Sequence, residues 1–557
     1  MDNLHHAKSA TNAVAEPVKP KTAHVEEIAV FSTLVDKKLD VVGTVKLTDG
    51  QIVYIPTPTP DPQDPLNMPT WQKCVVLVVV SVFSTLGLSL VSGFGGLLSF
   101  YIPEYVAAGK DYADITALMT YPSLFMGIGN LVGMPLAIGV GRRIVMLGSS
   151  VILVVGAILC AYAKSYEWHL AARMVIGLAA GQSEALVPMI TQEIFFLHER
   201  SKSLMGQQAI QVSLTAVWVL FASPIAGHIT PQGWYGLGAG LAGLLLIVAF
   251  LLLPETKYER SAASFQEAPS QVVTASTGDA EASSQKETAP VVEICTVRPA
   301  KDNVNYPPRT WKSDVRLIVG KPEWKKVWMV LRQTFELLFF PNVFWALLLN
   351  GLTIGVNIAI GTTYGTVLTG APYHWSNDTV SYVNCGQIIV ALLALPLLGH
   401  GSDWLVEYMA RRNGGIHEPE NRILPLFFPI IVGVFTAVLY GQGAAHPEKY
   451  SWFVYAWAVA AYYFAFVGAN IVAITYLLDS YPQRAGPLLV IICAFRGIIS
   501  FGTSYGTAPF VERRGWDGAF NTFGGLTGAL GALGIPVYFY GKKIRQFTTR
   551  FVKDKTE

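Results

Sequence analysis

One carboxylate, Glu184, stands near the middle of a long apolar run, about eleven residues and ~16 Å of helix beyond Arg173. Insertion scales put a charged side chain such as aspartate at roughly 2.5–3.5 kcal/mol at the bilayer centre, so an intramembrane carboxylate is a functional candidate by default. In low dielectric, such a group is open to neutralisation by a proton or by a cationic substrate, which is the chemistry of exchange. The bland alternative is a structural hydrogen bond or a pairing with a basic residue. Arg173 lies toward the outer end of the same run. Either it steers protons or substrate, or it pins the helix through bonds to carbonyls.

A second group of residues suits recognition of an organic cation. Asn350, Asn357 and Tyr364 recur every seven residues, which places them roughly on one helical face. Tyr455, Tyr462, Phe466 and Asn470 form a comparable stripe farther on. Amides and aromatic rings converging on an apolar cavity hold a cation by hydrogen bonds and cation–π contacts. Against this stands ordinary packing, since Asn glues membrane helices and aromatics fill them. Glu193 and Asp479 end their apolar runs near Arg200 and Arg484, an arrangement expected to form gating ion pairs rather than to bind substrate.

Catalysis finds little support. Gly502-Thr-Ser504-Tyr-Gly506 matches G-x-S-x-G in letters but lies inside an apolar helix, without the strand–turn–helix setting that motif needs. The five cysteines are scattered, with no C-x-x-C and no His cluster beside them. No nucleophile–base pair, metal constellation or nucleotide loop stands out, so we expect neither an enzyme nor a cofactor or metal. Gly129/Gly133, Gly177/Gly181, Gly351/Gly355 and Gly361/Gly365 read as close helix contacts.

The elements that must position these residues follow from composition. Of 557 residues, 52% are hydrophobic and 14% charged, and the mean hydropathy is +0.41. Soluble domains carry about 25% charged residues, so lipid is the expected solvent. The net charge of +2 is too small to suggest nucleic acid. Six apolar segments fall near 72–104, 114–137, 144–163, 169–196, 206–228 and 234–253. Six more fall near 341–368, 379–400, 423–441, 451–478, 486–508 and 517–540. Each is about long enough to cross a ~30 Å hydrocarbon core as a helix. The expected fold is an all-α membrane protein, with twelve transmembrane helices in two six-helix bundles at 71–254 and 340–541.

Around the bundles, residues 1–70 read as a polar, disordered tail and 255–322 as a linker, with a short tail at 542–557. The stretch 323–339 is either an amphipathic helix at the membrane surface or an early extension of segment seven. Lysine and arginine crowd one set of short loops, at Arg142, Arg143, Arg200, Lys202, Arg411, Arg412, Arg422 and Arg484. The positive-inside rule then places both termini in the cytoplasm. Asn377-Asp-Thr379 is a glycosylation sequon in a predicted outer loop.

The halves echo each other. Ile190-Thr191 precedes Arg200 at the same offset at which Ile474-Thr475 precedes Arg484, and Pro135-Leu136 matches Pro396-Leu397. Several motifs also resemble the major facilitator superfamily. Gly141-Arg142-Arg143 is similar to the end of its loop motif between helices two and three, with Ile138 where an Asp is usual. Gly399-His-Gly-Ser-Asp403 is the complementary piece, and Arg173-Met-Val-Ile-Gly177 is similar to the fourth-helix motif. Ser223-Pro224-Ile-Ala-Gly227 is an imperfect form of the motif associated with antiporters. Asp61-Pro-Gln-Asp-Pro-Leu-Asn67, Phe195-Phe-Leu-His-Glu-Arg200, Pro254-Glu-Thr-Lys-Tyr-Glu-Arg260 and Arg411-Arg-Asn-Gly-Gly-Ile-His-Glu-Pro-Glu420 resemble fungal drug:proton antiporters of twelve helices. Among those, the resemblance is to the branch related to a yeast permease for polyamines and other organic cations.

The resemblance implies a secondary active transporter, working as a monomer in the bilayer and coupled to protons. Its small-molecule substrate would be an organic cation, a polyamine or an amphiphilic drug. Plasma membrane is the expected location, with the vacuolar membrane as alternative. A permease or exporter of a neutral or anionic metabolite, such as a fungal secondary metabolite, is the competing reading. A non-transporting nutrient sensor on the same fold is a third.

Overall fold

The structure, a computed structural model, describes residues 45–46, 59–258, 306–317, 321–412 and 416–553. Most of the expected tail and linker therefore lies outside the described residues. Among the described residues, the chain is helical apart from turns and one short antiparallel pairing of Val45–Lys46 with Ile416–His417.

All twelve expected segments fall on helices. Ten are long and apolar enough to cross a membrane, and an eleventh, Lys202–Leu220 with Ala222–Ile229, is bent by 43°. The remaining one, segment eight, is the helix Cys385–Arg412. Among the described residues its apolar stretch is Val380–Leu393, and the helix runs on to Arg412. The stretch before segment seven forms its own helix, Trp324–Leu337, and segment seven starts afresh at Pro341. Proline suits that first turn, where its missing N–H is not needed.

Two segments that position the site are broken. Segment one consists of Thr70–Ser92 and Phe94–Ala107, interrupted at Gly93. A Cβ at Gly93 would lie 2.8 Å from the Trp234 ring of segment six. Segment four consists of Tyr166–Ala180 and Gln182–Ile194, interrupted at Gly181. Segments two (Tyr112–Gly139) and four meet through glycine: Gly129 and Gly133 face Leu178 and Gln182, while Gly177 and Gly181 face Pro122 and Met126.

The halves are joined along segments two and eleven (Ala485–Tyr505). A Cβ on Gly497 would stand 2.7 Å from the Ser123 carbonyl oxygen and 2.8 Å from the Gly127 backbone. The core of the first half accordingly includes Leu489, Val490 and Cys493 from segment eleven. Near Asn377, the halves also touch where Ser223 and Ser381 hydroxyls meet and where Gly95 abuts the Gly361 carbonyl. At the opposite end, Trp324–Leu337 lies against both segments two and eleven. There Glu323 N donates to Gly139 O (3.1 Å) and Thr334 Oγ1 to Pro487 O (3.4 Å).

Replacing Gly497 by Leu should prise these helices apart at a cost of about 1–3 kcal/mol. A lowered thermal midpoint in detergent would show it, while Gly502→Leu, where an added Cβ meets nothing within 4 Å, should leave the midpoint nearly unchanged.

Candidate functional site

Glu184 sits in the second piece of segment four, four residues before Pro188. Proline at i+4 removes the N–H that would bond the Glu184 carbonyl and crowds that oxygen. The Cys493 thiol of segment eleven lies against the freed carbonyl at 3.5 Å. Three residues farther along segment eleven, the Arg496 guanidinium forms an ion pair with the Glu184 carboxylate. Arg496 is 3% exposed and the Glu184 side chain 14%. The pair therefore joins the first half to the second.

The second half completes a network around it. Arg496 Nη1 donates to Asn470 Oδ1 at 3.1 Å, and Asn350 Nδ2 donates to the same oxygen at 3.0 Å. Asn350 is 1% exposed, and its own Oδ1 has no hydrogen-bond partner among the described residues. Segments four, seven, ten and eleven thus converge on one polar cluster holding a carboxylate, a guanidinium and a spare amide acceptor.

Arg173 has a different setting. Its Nη1 and Nη2 donate to the carbonyls of Leu90 (3.1 Å) and Val91 (2.9 Å). Those carbonyls sit at the Gly93 break, where the helical N–H partners are lost. Nε donates to Leu118 O at 2.6 Å, and Nη1 also donates to Tyr235 OH at 3.0 Å. The guanidinium stacks 4.3 Å over the Phe94 ring. Tyr235 continues to His169 Nε2 at 3.1 Å, and His169 Nδ1 to Tyr105 OH at 2.9 Å.

The aromatic stripe of segment ten (Trp452–Ser480) divides. Tyr455 and Tyr462 are buried with Tyr364 and Tyr440 in one cluster. Within it, Tyr455 OH donates to Tyr440 OH at 2.5 Å, and Asn384 Nδ2 donates to Tyr364 OH at 3.2 Å. Phe466 packs instead on Tyr463, ring centroids 5.7 Å apart, beside Leu398 and Val467. Asn357 is half-buried. Of the expected substrate residues, Glu184, Asn350 and Asn470 come together.

Arg496 is the member that sequence reasoning passed over. The signal was present, because an arginine ten residues inside the apolar run 486–508 meets the same criterion that singled out Glu184.

The expected gating residues occupy the two ends. Arg142 pairs with Glu193 (Nη2–Oε1 2.6 Å) and donates to Ala137 O and Ile138 O, both at 3.3 Å. Backbone carbonyls thus meet Arg142 where the family's usual Asp is replaced by Ile138. Thr256 Oγ1 also donates to Glu193, at 2.8 Å. Gly141 opens segment three (Arg142–Ala161), and a Cβ there would lie 2.6 Å from Glu255 Oε2. That carboxylate accepts Arg142 N (3.0 Å) and Arg143 N (3.2 Å), capping the helix start. The Arg143 guanidinium donates to the Phe250 carbonyl at 2.5 Å.

The structure pairs the expected gating residues with groups from distant elements. Glu193 is held by Arg142, Asp479 pairs with Arg422, and Arg484 pairs with Glu336 at 3.4 Å. The reason is spatial: each acidic group ends its helix facing the start of another segment in the same bundle. Arg200 and Asp403 lie in the helices Leu197–Leu220 and Cys385–Arg412, with side chains outside the described set. At the other end, Pro224 and Gly227 belong to the bent piece Ala222–Ile229, and Gly227 abuts the Asp378 carboxylate beside exposed Asn377.

Comparison with known proteins decides the family. A model of the Major Facilitator Superfamily matches residues 77–487. The chain belongs to that superfamily. It is similar to the MFS-type transporter C1271.10c of Schizosaccharomyces pombe, with 24% identity over 90% of this chain and 89% of that protein. Protein HOL1 of Saccharomyces cerevisiae is also 24% identical, covering 91% of this chain and 92% of its own length. Among solved structures, the xylose transporter XylE from E. coli shares the fold at a TM-score of 0.53 and 13% identity, covering 84% of this chain and 98% of that one. The chain is thus a multi-pass membrane transporter.

Arg173→Lys keeps the charge but cannot reach the same set of acceptors. Losing two of these bonds, each worth about 0.5–1.5 kcal/mol, should lower stability by roughly 1–3 kcal/mol, read as a lower thermal midpoint in detergent.

Proposed function

We propose that this chain is a proton-coupled secondary transporter moving a small organic cation by alternating access, with Glu184 as the group that exchanges partners. The Glu184–Arg496 pair across the two halves is the observation that supports this reading. A buried carboxylate must be compensated, so a proton or substrate cation reaching Glu184 replaces Arg496 as its partner. Releasing that bond also frees one half from the other at the midpoint. The spare Asn350 Oδ1 supplies an acceptor for a substrate N–H, and Asn470 keeps hold of Arg496 meanwhile.

In this reading, Arg142–Glu193 in the first half and Arg422–Asp479 in the second keep each bundle rigid while the halves rock. Arg173 holds the broken segment one in shape and does not carry the proton. Both termini are cytoplasmic, and the protein resides in the plasma membrane. The exposed Asn377 loop then faces outward and, if modified, gives a glycosidase-sensitive mobility shift in fungal membranes that Asn377→Gln abolishes. A shift that persists in Asn377→Gln would count against the assignment of that loop.

Transport is tested by labelled spermidine uptake into proteoliposomes under an imposed pH gradient. Glu184→Gln should lower gradient-driven uptake roughly ten-fold or more, in line with a charge-assisted bond worth about 1.5–3 kcal/mol. Equal uptake by the folded variant would remove Glu184 from the coupling step.

A further inference from the structure

Displacing Arg496 from Glu184 has a consequence for the substrate. Arg496 is nearly fully buried, and its described polar partners are the Glu184 carboxylate and Asn470 Oδ1. Asn470 Oδ1 is already shared with Asn350 Nδ2. The apolar runs of segments seven, ten and eleven, at 341–368, 451–478 and 486–508, contain no Asp or Glu. A guanidinium stripped of Glu184 thus finds no second carboxylate within those apolar runs, and Asp479 at the far end of segment ten is nine residues beyond Asn470 and paired with Arg422. Leaving a buried cation uncompensated is costly, and bringing a second cation beside it adds like-charge repulsion.

We infer that the substrate supplies both ends of the broken pair: a cationic nitrogen for Glu184 and Asn350 Oδ1, and an oxygen acceptor for the released Arg496. The preferred class is therefore a short amino acid or amino alcohol rather than a pure diamine or polyamine. This inference rests on the Glu184 exchange reading above and names its substrate class. Arg496 becomes the residue that sets specificity, because it penalises any ligand that brings a cation without an oxygen acceptor. Binding energy comes from replacing an internal ion pair by two ligand contacts, so neither Glu184 nor Arg496 is left without a polar partner. A ligand N–H also satisfies the Asn350 oxygen that is otherwise unpaired.

The test uses the purified full chain and a matched four-carbon series: 4-aminobutanoate, 4-aminobutan-1-ol and 1,4-diaminobutane. A ligand that binds the folded state raises its stability in proportion to the logarithm of concentration over Kd, so the thermal midpoint ranks the three without requiring transport. For wild type, the oxygen-bearing ligands should raise the midpoint at several-fold lower concentration than the diamine. Arg496→Gln should reverse that order, and Arg496→Lys, which keeps the charge, should preserve it. A wild type stabilised best by the diamine, an order unchanged in Arg496→Gln, or no stabilisation by any of the three would each overturn the inference. The outcome is separable from that of the exchange reading. Uptake for this comparison is measured with whichever of the three four-carbon ligands stabilises wild type best; if Glu184→Gln abolishes its gradient-driven uptake while the ligand order ignores Arg496, only the substrate class falls. If the order follows Arg496 but uptake ignores Glu184, proton coupling falls.

Discussion

A charge surrounded by apolar helices has to meet its opposite, and the architecture around Arg496 follows from that requirement. Its guanidinium projects from segment eleven, where Ala494 and Gly497 are small enough to let segment two approach backbone to backbone, while Ser500 meets Gly355 of segment seven. That approach brings the first half close enough for Glu184 to reach across. On segment four, Pro188 frees the Glu184 carbonyl, and the thiol of Cys493 occupies the space beside it. Small residues, a proline and a cysteine, none reactive by itself, thus place two side chains in contact. With Glu184 absent, the guanidinium would depend on Asn470 alone, and segment eleven would have less reason to sit where it does.

Arg173 shows how the same constraint leads elsewhere. It is as deeply buried as Arg496, yet its partners are carbonyls of Leu90, Val91 and Leu118 together with the Tyr235 hydroxyl. Neutral acceptors do not titrate near neutral pH, so this arginine has no partner that a proton could remove. Its fork instead takes up carbonyls left open where segment one breaks at Gly93. One buried arginine is a fixed strut, and the other is held by a group that can be neutralised. The difference lies in the acceptor, not in burial or in the arginine itself.

Much of this was legible in the residues. Apolar runs of helical length marked all twelve segments, and an isolated carboxylate in one of them marked Glu184. Asn350 and Asn470 were found because amides inside apolar helices stand out. What stayed hidden was pairing between distant elements. Glu184 and Arg496 are more than 300 residues apart in the chain, as are Cys493 and the Glu184 carbonyl. Local spacing cannot reveal which helices touch, so Asp479 read as a neighbour of Arg484 while its ion pair with Arg422, 57 residues away, went unseen. The Tyr455–Tyr462–Phe466 stripe failed for a related reason. A face wide enough to hold all three meets different neighbours, so Tyr462 joins the tyrosine cluster while Phe466 turns toward Leu398. The cap by Glu255 needed the end of segment six to fold back on the start of segment three, which no local pattern records.

The two ends of the bundle are built from different interactions, and that bears on how the halves can part. Near Asn377, the described hydrogen bonds and backbone contacts across the seam are neutral, with Ser223 against Ser381, Gly95 against the Gly361 carbonyl and Tyr112 OH donating to Thr362 O at 3.1 Å, while the Asp378 carboxylate lies against the backbone of Gly227. Separating such surfaces exposes hydroxyls and carbonyls, which water satisfies readily, and strands no charge. At the opposite end, Arg142–Glu193 belongs to the first half, while Arg422–Asp479 and Glu420–Arg545 (2.7 Å) belong to the second. These pairs stay intact when one half moves as a body against the other. Such a motion strains the Glu184–Arg496 contact in the middle, and at this end it also loads Lys257–Glu323 (3.2 Å) and Arg484–Glu336 (3.4 Å), through which the helix Trp324–Leu337 is tied to both halves. Of these charged contacts, Glu184–Arg496 is the one buried at the midpoint, where a ligand of matching charge can offset the cost of opening.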